Sequence, residues 1–230
     1  MSKVIIVGGG AAGMMAAITA ARNGNSVLLL EKNEKLGKKI YITGKGRCNL
    51  TNAGDNEDLM NSIVTNRKFM YGAFSRFSNY DCMGFFDELG LKFKVERGNR
   101  VFPESDKAAD VIDCLRRELR RLSVSVEYET RGKKRHYDCD ELIVATGGCS
   151  YPTTGSTGDG YRFAGELGVR VTDVIPALVP VIAKEEWVKE LQGLSLKNIA
   201  ITVYDGGKEV YSDFGEMMFT HFGVTGPVIL

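Results

Sequence analysis

Gly8, Gly10 and Gly13 stand at G-x-G-x-x-G spacing directly after the apolar run Val4-Ile5-Ile6-Val7, and a second apolar run ends in Glu31. Residues of these types at this spacing can hold a dinucleotide. Gly8 permits a tight turn, Gly10 lets backbone approach a pyrophosphate, and Gly13 lets a helix pack closely on a strand. Ala11 and Ala12 lie between them, at the start of a helix whose free N–H groups and partial positive charge suit phosphate. Glu31 can accept hydrogen bonds from ribose hydroxyls, and its charge disfavours a 2′-phosphate. Alone, the glycine spacing is a weak signal. Between a strand and a helix, with the acidic residue where the next strand stops, it is a strong one.

NAD and FAD domains share this arrangement, and two later constellations favour FAD. Gly37-Lys38-Lys39-Ile40 leads into Thr43-Gly44-Lys45-Gly46-Arg47-Cys48-Asn49. Glycines so spaced let backbone pass close to a ribityl chain and a flavin ring, with Arg47 and Asn49 as polar contacts. The apolar run Leu142-Ile143-Val144 then opens into Ala145-Thr146-Gly147-Gly148. Gly155-Ser156-Thr157-Gly158-Asp159-Gly160 follows, ahead of a helical segment at 161–167. A plain NAD domain has no use for this second glycine turn. The candidate cofactor residues therefore include Gly37, Lys39, Gly44 and Gly46, then Arg47 to Asn49, Ala145 to Gly148, and Asp159. Lys32 completes the set.

Two residues are candidates for a catalytic role. Cys48 falls in the loop read as the flavin side, but no second cysteine is near it in sequence, so packing is its preferred role over redox chemistry. His221, one of two histidines, lies in Phe219-Thr220-His221-Phe222-Gly223 and is the candidate acid or base, although a lone histidine is more often structural. His136 sits in a basic stretch and reads as exposed. Tyr161 suits a ligand contact and a buried helix start equally. No spacing points to a metal.

The elements that must position these residues follow from periodicity. Met14 to Asn23 reads as the first helix, stopped by Gly24, and Ser26 to Glu31 as a buried parallel strand. Asp58 to Phe77 and Tyr80 to Leu89 read as helices, and Leu91 to Val95 and Arg100 to Phe102 as short strands. Ala108, Val111, Ile112, Leu115, Leu119 and Leu122 form one helical stripe, with Arg116, Arg117, Arg120 and Arg121 opposite. That basic face and Lys133-Lys134-Arg135 could suggest RNA, but charge runs without interleaved aromatics more often mark a solvated surface. Val124 to Tyr128 and Leu142 to Ala145 are further strands. From about Ala177 the texture changes to alternation, with Gly206-Gly207 turning a hairpin in a β-rich unit.

Composition sets the bounds. The 230 residues carry 30 basic and 29 acidic side chains, a formal charge of +1, so no global field argues for nucleic acid or a membrane. Twenty-seven glycines against five prolines fit repeated close backbone approaches. Five scattered cysteines without C-x-x-C point to a reducing, cytoplasmic compartment. Residues 4–21 carry no charge, yet their glycines argue against a membrane span or a signal peptide. The link from Tyr128 to Leu142 is short for a parallel crossover. The last residues, Pro227-Val228-Ile229-Leu230, are apolar. Both features lead us to expect a fragment, or a chain from which segments are missing near 130 and after 230.

The chain resembles the BaiN/RdsA family of flavoproteins, which includes proteins called YhiN and aminoacetone oxidase-like. The likeness rests on GGGAAG, GKKIYITGKGRCNLTN, NRVFPESDKAADV, ATGGCSYPTTGSTGDGY and FTHFGVTGPVIL, and spans nearly the whole sequence. It implies an α/β, glutathione-reductase-like (Rossmann-type) FAD-binding domain over residues 1–176, with an inserted β-rich substrate domain beginning in 177–230. It also implies that a carboxy-terminal segment returning to the FAD domain is absent, and that Arg47-Cys48-Asn49 lies near the isoalloxazine. The activity implied is an FAD-dependent oxidoreductase exchanging hydride with a small organic substrate. One form of it reduces a C=C bond conjugated to a ketone, with NADH or NADPH as donor. Oxidation of an amine or aminoketone by O2, a tRNA-modifying flavoprotein and a non-catalytic flavin-binding fragment are the alternatives.

Overall fold

The computed structural model describes residues 1–131 and 135–230. The chain divides into two compact units, Met1–Val171 and Thr172–Leu230. The first unit runs β1 (Lys3–Val7), α1 (Ala11–Arg22), β2 (Ser26–Leu30), β3 (Thr51–Asn52), α2 (Asn56–Asn61) and α3 (Tyr71–Phe74). It continues with α4 (Asn79–Glu88), β4 (Phe93–Glu96), β5 (Arg100–Pro103), α5 (Ala108–Arg121), β6 (Ser125–Glu127), β7 (Glu141–Val144) and α6 (Asp159–Glu166).

Four strands form a parallel sheet in the order β6-β2-β1-β7. Ile5 and Ile6, successive residues of β1 that point to opposite faces, are both buried, as covering both faces of a parallel sheet requires. α1 packs close because it is built of small residues: a Cβ on Gly13 would lie 1.7 Å from the Gly8 carbonyl oxygen. The stripe on α5 is buried at Ala108, Val111, Ile112, Leu115 and Leu119, and Arg117 and Arg120 face solvent. A separate antiparallel sheet, β3-β5-β4, holds the far side of the loop at residues 40–50.

Several boundaries differ from expectation, each for a local reason. α1 begins at Ala11 rather than Met14, because Gly10 already serves as its N-cap. The helix expected over 58–77 is broken into α2, a single 3-10 turn (Arg67–Met70) and α3. Ile63-Val64-Thr65 are β-branched in succession and Asn66 is left-handed (φ 52°), which ends α2 and forces a restart. The strand expected at 142–145 is β7, at the edge of the sheet, with Leu142 57% exposed. Residues 128–140 join β6 and β7 at opposite edges of the sheet, and Lys133 and Lys134 of the basic run lie outside the described residues.

The second unit contains β8 (Val181–Ile182), α7 (Trp187–Glu190), β9 (Ser195–Asp205), β10 (Lys208–Phe219) and β11 (Gly223–Thr225). Its antiparallel sheet has the order β8-β11-β10-β9. Gly206 and Gly207 are both left-handed (φ 56° and 82°) at the hairpin turn, where two positive φ values match the strand twist. Residues 169–180 carry no helix or strand, so the boundary between the units falls before the change of texture near Ala177.

Candidate functional site

The C-terminal ends of β1, β2 and β7 open onto one trough of about 650 Å³, within the range of ligand sites. Its walls are Val7–Ala12, Leu30–Asn33, Gly37–Ile40, Thr43, Thr130, Val144–Gly147, Thr154–Ser156 and the start of α6 at Gly160 and Tyr161. The glycine turns after β1, β2 and β7 therefore meet at a single cavity. Gly8, Gly10, Ala11, Ala12, Glu31, Lys32, Gly37, Lys39, Ala145, Thr146 and Gly147 all line it.

The glycines divide the work. Gly8 (φ 108°) is wedged against β7: an added Cβ would lie 2.4 Å from the Ala145 carbonyl oxygen. Gly13 sits beneath the turn and lines no part of the trough. Gly10 differs, because a Cβ there would meet nothing within 4 Å. The space in front of Gly10 is therefore open to a ligand. α1 has no side-chain cap and no acidic residue in its first turn. The first helical N–H with a carbonyl partner is that of Met14, which donates to Gly10 O at 3.0 Å. The N–H groups ahead of it remain available to an anion. Beside Gly8 and Gly160, Thr146 Oγ1 is buried without a hydrogen-bond partner among the described residues. An uncapped helix start, an open glycine and an unpartnered hydroxyl around one trough fit a dinucleotide.

Glu31 follows β2 and is 6% exposed. Its Oε2 accepts from Gly9 N (2.7 Å), and its Oε1 accepts from Asn33 N (2.8 Å) and Asn33 Nδ2 (2.7 Å). The carboxylate is thus fixed in orientation, and Oε2 retains a free lone pair for a ribose hydroxyl. Sequence reasoning misses Asn33, whose only signal is its position two residues beyond the acid. Lys32 Nζ donates to Thr157 Oγ1 (2.9 Å) and Asp159 Oδ2 (3.0 Å), and Lys39 Nζ donates to Ser150 Oγ (3.1 Å). The Lys32 ammonium, with the Thr157 hydroxyl, holds the Asp159 carboxyl below its ordinary range. Asp159 and Gly148 are outside the trough lining, and Asp159 acts through Lys32.

The loop read as the flavin side has a different arrangement. Gly44, Gly46, Arg47, Cys48 and Asn49 do not line the trough, although Gly37 to Ile40 and Thr43 do. Arg47 turns to the small antiparallel sheet. Its Nε donates to Asp106 Oδ1 (2.8 Å), Nη2 donates to Glu96 and Asp106, and its guanidinium lies 4.1 Å from the Phe102 ring centroid. Glu96 and Asp106 raise the Arg47 pKa further, and Lys94 closes the cluster with a 2.6 Å bond to Asp106. With its amide oriented to satisfy both partners, Asn49 donates to Val101 O and Thr51 O. Cys48 (φ 60°) is buried in the core, and burial pushes its thiol up, which disfavours the reactive thiolate. His221 belongs to the second unit, between β10 and β11, with its ring edge-on to Phe222 at 4.8 Å; every trough-lining residue is in the first unit.

A parallel sheet carrying a glycine turn and an acidic strand end around one trough defines a Rossmann-type dinucleotide-binding domain. The chain belongs to the HI0933-like family: the model of the HI0933-like protein Rossmann domain matches residues 2–226. It is 33% identical to a 3-dehydro-bile acid delta(4,6)-reductase of Clostridium scindens over 250 residues, covering 98% of this chain and 58% of that protein. It is 30% identical to a ribosomal RNA dihydrouridine synthase of Haemophilus influenzae, covering 91% of this chain and 55% of the relative. Among solved structures, the open conformation of a flavocytochrome c3 fumarate reductase matches with a TM-score of 0.53 at 18% identity, over 85% of this chain and 47% of that one. The chain spans somewhat over half the length of the curated relatives it matches.

Proposed function

We propose that the trough holds FAD and that the chain is the cofactor-binding part of a flavin-dependent oxidoreductase that reduces a C=C bond conjugated to a carbonyl, with NADH or NADPH as donor. The observation that carries the reading is the meeting of all three glycine turns at one cavity, with Gly10 facing open space and Glu31 fixed at the end of β2. The α1 N-terminus and Gly10 would take the pyrophosphate, Glu31 the adenosine ribose, and Thr43 with Thr146 the ribityl and ring side. Bound flavin supplies hydride exchange with organic molecules. The chain orients it, shields it from water along the apolar walls, and offers the Thr146 hydroxyl as a hydrogen-bond partner.

The two relatives' names support the substrate class. A 3-oxo steroid with 4,6 unsaturation and a uridine about to become dihydrouridine each present a C=C bond conjugated to a carbonyl. Reduction of either adds one hydride and one proton across that bond. An RNA substrate is the second reading; the relatives named as RNA-modifying favour it, together with exposed Arg117 and Arg120 on α5. Five free thiols suit a reducing, cytoplasmic compartment.

The test is spectroscopic. The purified chain should take up FAD with a structured visible spectrum, and NADH or NADPH should bleach it without oxygen. Reoxidation of the bleached protein by a 3-oxo-4-ene steroid supports the first reading; salt-sensitive binding and reoxidation by uridine-containing RNA supports the second. A colourless protein that takes up NAD but no flavin overturns both.

A further inference from the structure

We infer that residues 148–158 form a clasp over the trough, and that its side-chain ties to Lys32, Asn33 and Lys39 set how fast the cofactor leaves. The inference rests on the dinucleotide reading of the trough. The segment is closed on itself. Gly158 N donates to Gly148 O at 3.2 Å, joining its two ends, while Thr154 N and Gly155 N donate inward to Tyr151 O and Pro152 O. Compact loops of this length with adjoining ends behave as independent units. Among the described residues, no backbone–backbone hydrogen bond links residues 149–157 to the rest of the chain.

What ties the loop to residues 32–39 is side chains. Lys32 Nζ reaches Thr157 Oγ1 and Asp159 Oδ2, Asn33 Nδ2 donates to Thr154 O at 3.3 Å, and Lys39 Nζ reaches Ser150 Oγ. Gly155 is seated between the same residues, since a Cβ on it would lie 2.8 Å from Asn33 Nδ2 and 3.0 Å from Lys32 Cε. All three donors, Lys32, Asn33 and Lys39, line the trough, and the loop partners they reach lie in 150–159, where Thr154 lines it as well. The ends of the loop carry left-handed glycines, Gly147 (φ 78°) and Gly158 (φ 77°), which can absorb a backbone rotation. Thr154–Ser156 face the cavity directly. A loop with glycine ends, internal bonds of its own and only side-chain hydrogen bonds to residues 32–39 can swing as a unit. A bound dinucleotide would have to pass it.

Ser150 and Thr157 make the decisive test because neither lines the trough. In the full chain, Ser150→Ala with Thr157→Val removes two ties and no trough-lining side chain. FAD release, followed by recovery of free-flavin fluorescence after dilution, should quicken by roughly fivefold or more, the lower end for two such exposed bonds. Amide exchange across 149–157 should quicken as well. Salt should speed release from the unaltered chain, because the Lys32–Asp159 pair is partly exposed. Exchanging that pair, as Lys32→Glu with Asp159→Lys, should restore slow release relative to Lys32→Glu alone. Faster amide exchange with an unchanged release rate overturns the clasp, as does no change in either. Failure of the unaltered chain to take up flavin overturns the cofactor reading instead, and the clasp with it.

Discussion

Gly10 and Gly13 belong to one motif yet face opposite demands. Gly10 sits at φ −78°, which any residue adopts, and its missing side chain borders open space. Gly13 is pressed onto Gly8, where a methyl group would overlap the carbonyl oxygen. Gly10→Val should therefore leave the melting temperature nearly unchanged while abolishing flavin uptake. Gly13→Ala should unfold the domain or lower its stability by several kcal/mol, on the order of an overpacked core. Thermal melts with a flavin titration separate the two, and equal losses of stability would refute the division. Glu31→Gln tests the ribose assignment in the same way. The amide retains one acceptor oxygen where the carboxylate has two, so Gly9 N or the Asn33 donors lose a buried partner, at a cost of about 1–3 kcal/mol. FAD affinity should fall by roughly tenfold or more. The placement of Gly10 and Glu31 at one trough, with Gly13 packed beneath it, was legible in the sequence because glycine and a terminal acid at fixed spacing imply a strand–turn–helix with an acid at the next strand end. Arg47 and Asn49 were not. Their partners, Asp106, Glu96, Val101 and Thr51, lie mostly far along the chain, and nothing local announces that an arginine in a glycine-rich loop turns toward a remote sheet.

Between elements, α1 and α5 are joined by a carboxylate that the hydrophobic stripe did not reveal. Glu118 is 2% exposed on α5, and it accepts from Arg22 Nε (2.9 Å) and Nη2 (2.7 Å) on α1 and from Arg121 Nε (2.7 Å). Arg22 also reaches Glu88 at the end of α4, so three helices meet at one guanidinium. The hydrogen bonds from Arg121 and then Arg22 lower the Glu118 pKa from 4.5 to about 2, against the opposing effect of burial. Because the folded value is the lower one, the coupling stabilises the fold above pH 4.5 and is lost as pH falls toward 2. Exposed Arg121 is screened by solvent, which leaves a contribution on the order of 2 kcal/mol. Glu118→Gln should lower stability at pH 7 by about that amount and flatten the acid limb of the stability curve between pH 4.5 and 2. Urea melts across that range check it; parallel curves for the two proteins would place the linkage elsewhere. Periodicity recovered α5 because apolar residues recur every third or fourth position, whereas a buried glutamate breaks that rule and is explained only by the arginine on α1.

For the whole molecule, the division into two units decides where cofactor binding resides. Every residue lining the trough falls between Val7 and Ala164, and the parallel sheet, α1 and α5 lie within the same unit. The second unit is an antiparallel sheet dominated by one long hairpin, with Tyr204, Val210, Tyr211 and Phe214 exposed on it. Its alternating pattern and its Gly206-Gly207 turn make that hairpin readable from sequence. If flavin retention is a property of the first unit, a chain ending at Val171 should bind FAD with an affinity within about threefold of residues 1–230, a difference below 1 kcal/mol. Its release rate should respond to Ser150→Ala with Thr157→Val in the same way, since those ties lie before the boundary. Circular dichroism establishes that the shortened chain is folded, after which equilibrium dialysis against FAD gives the answer. A folded first unit that binds no flavin would mean that the glycine turns alone do not make the site.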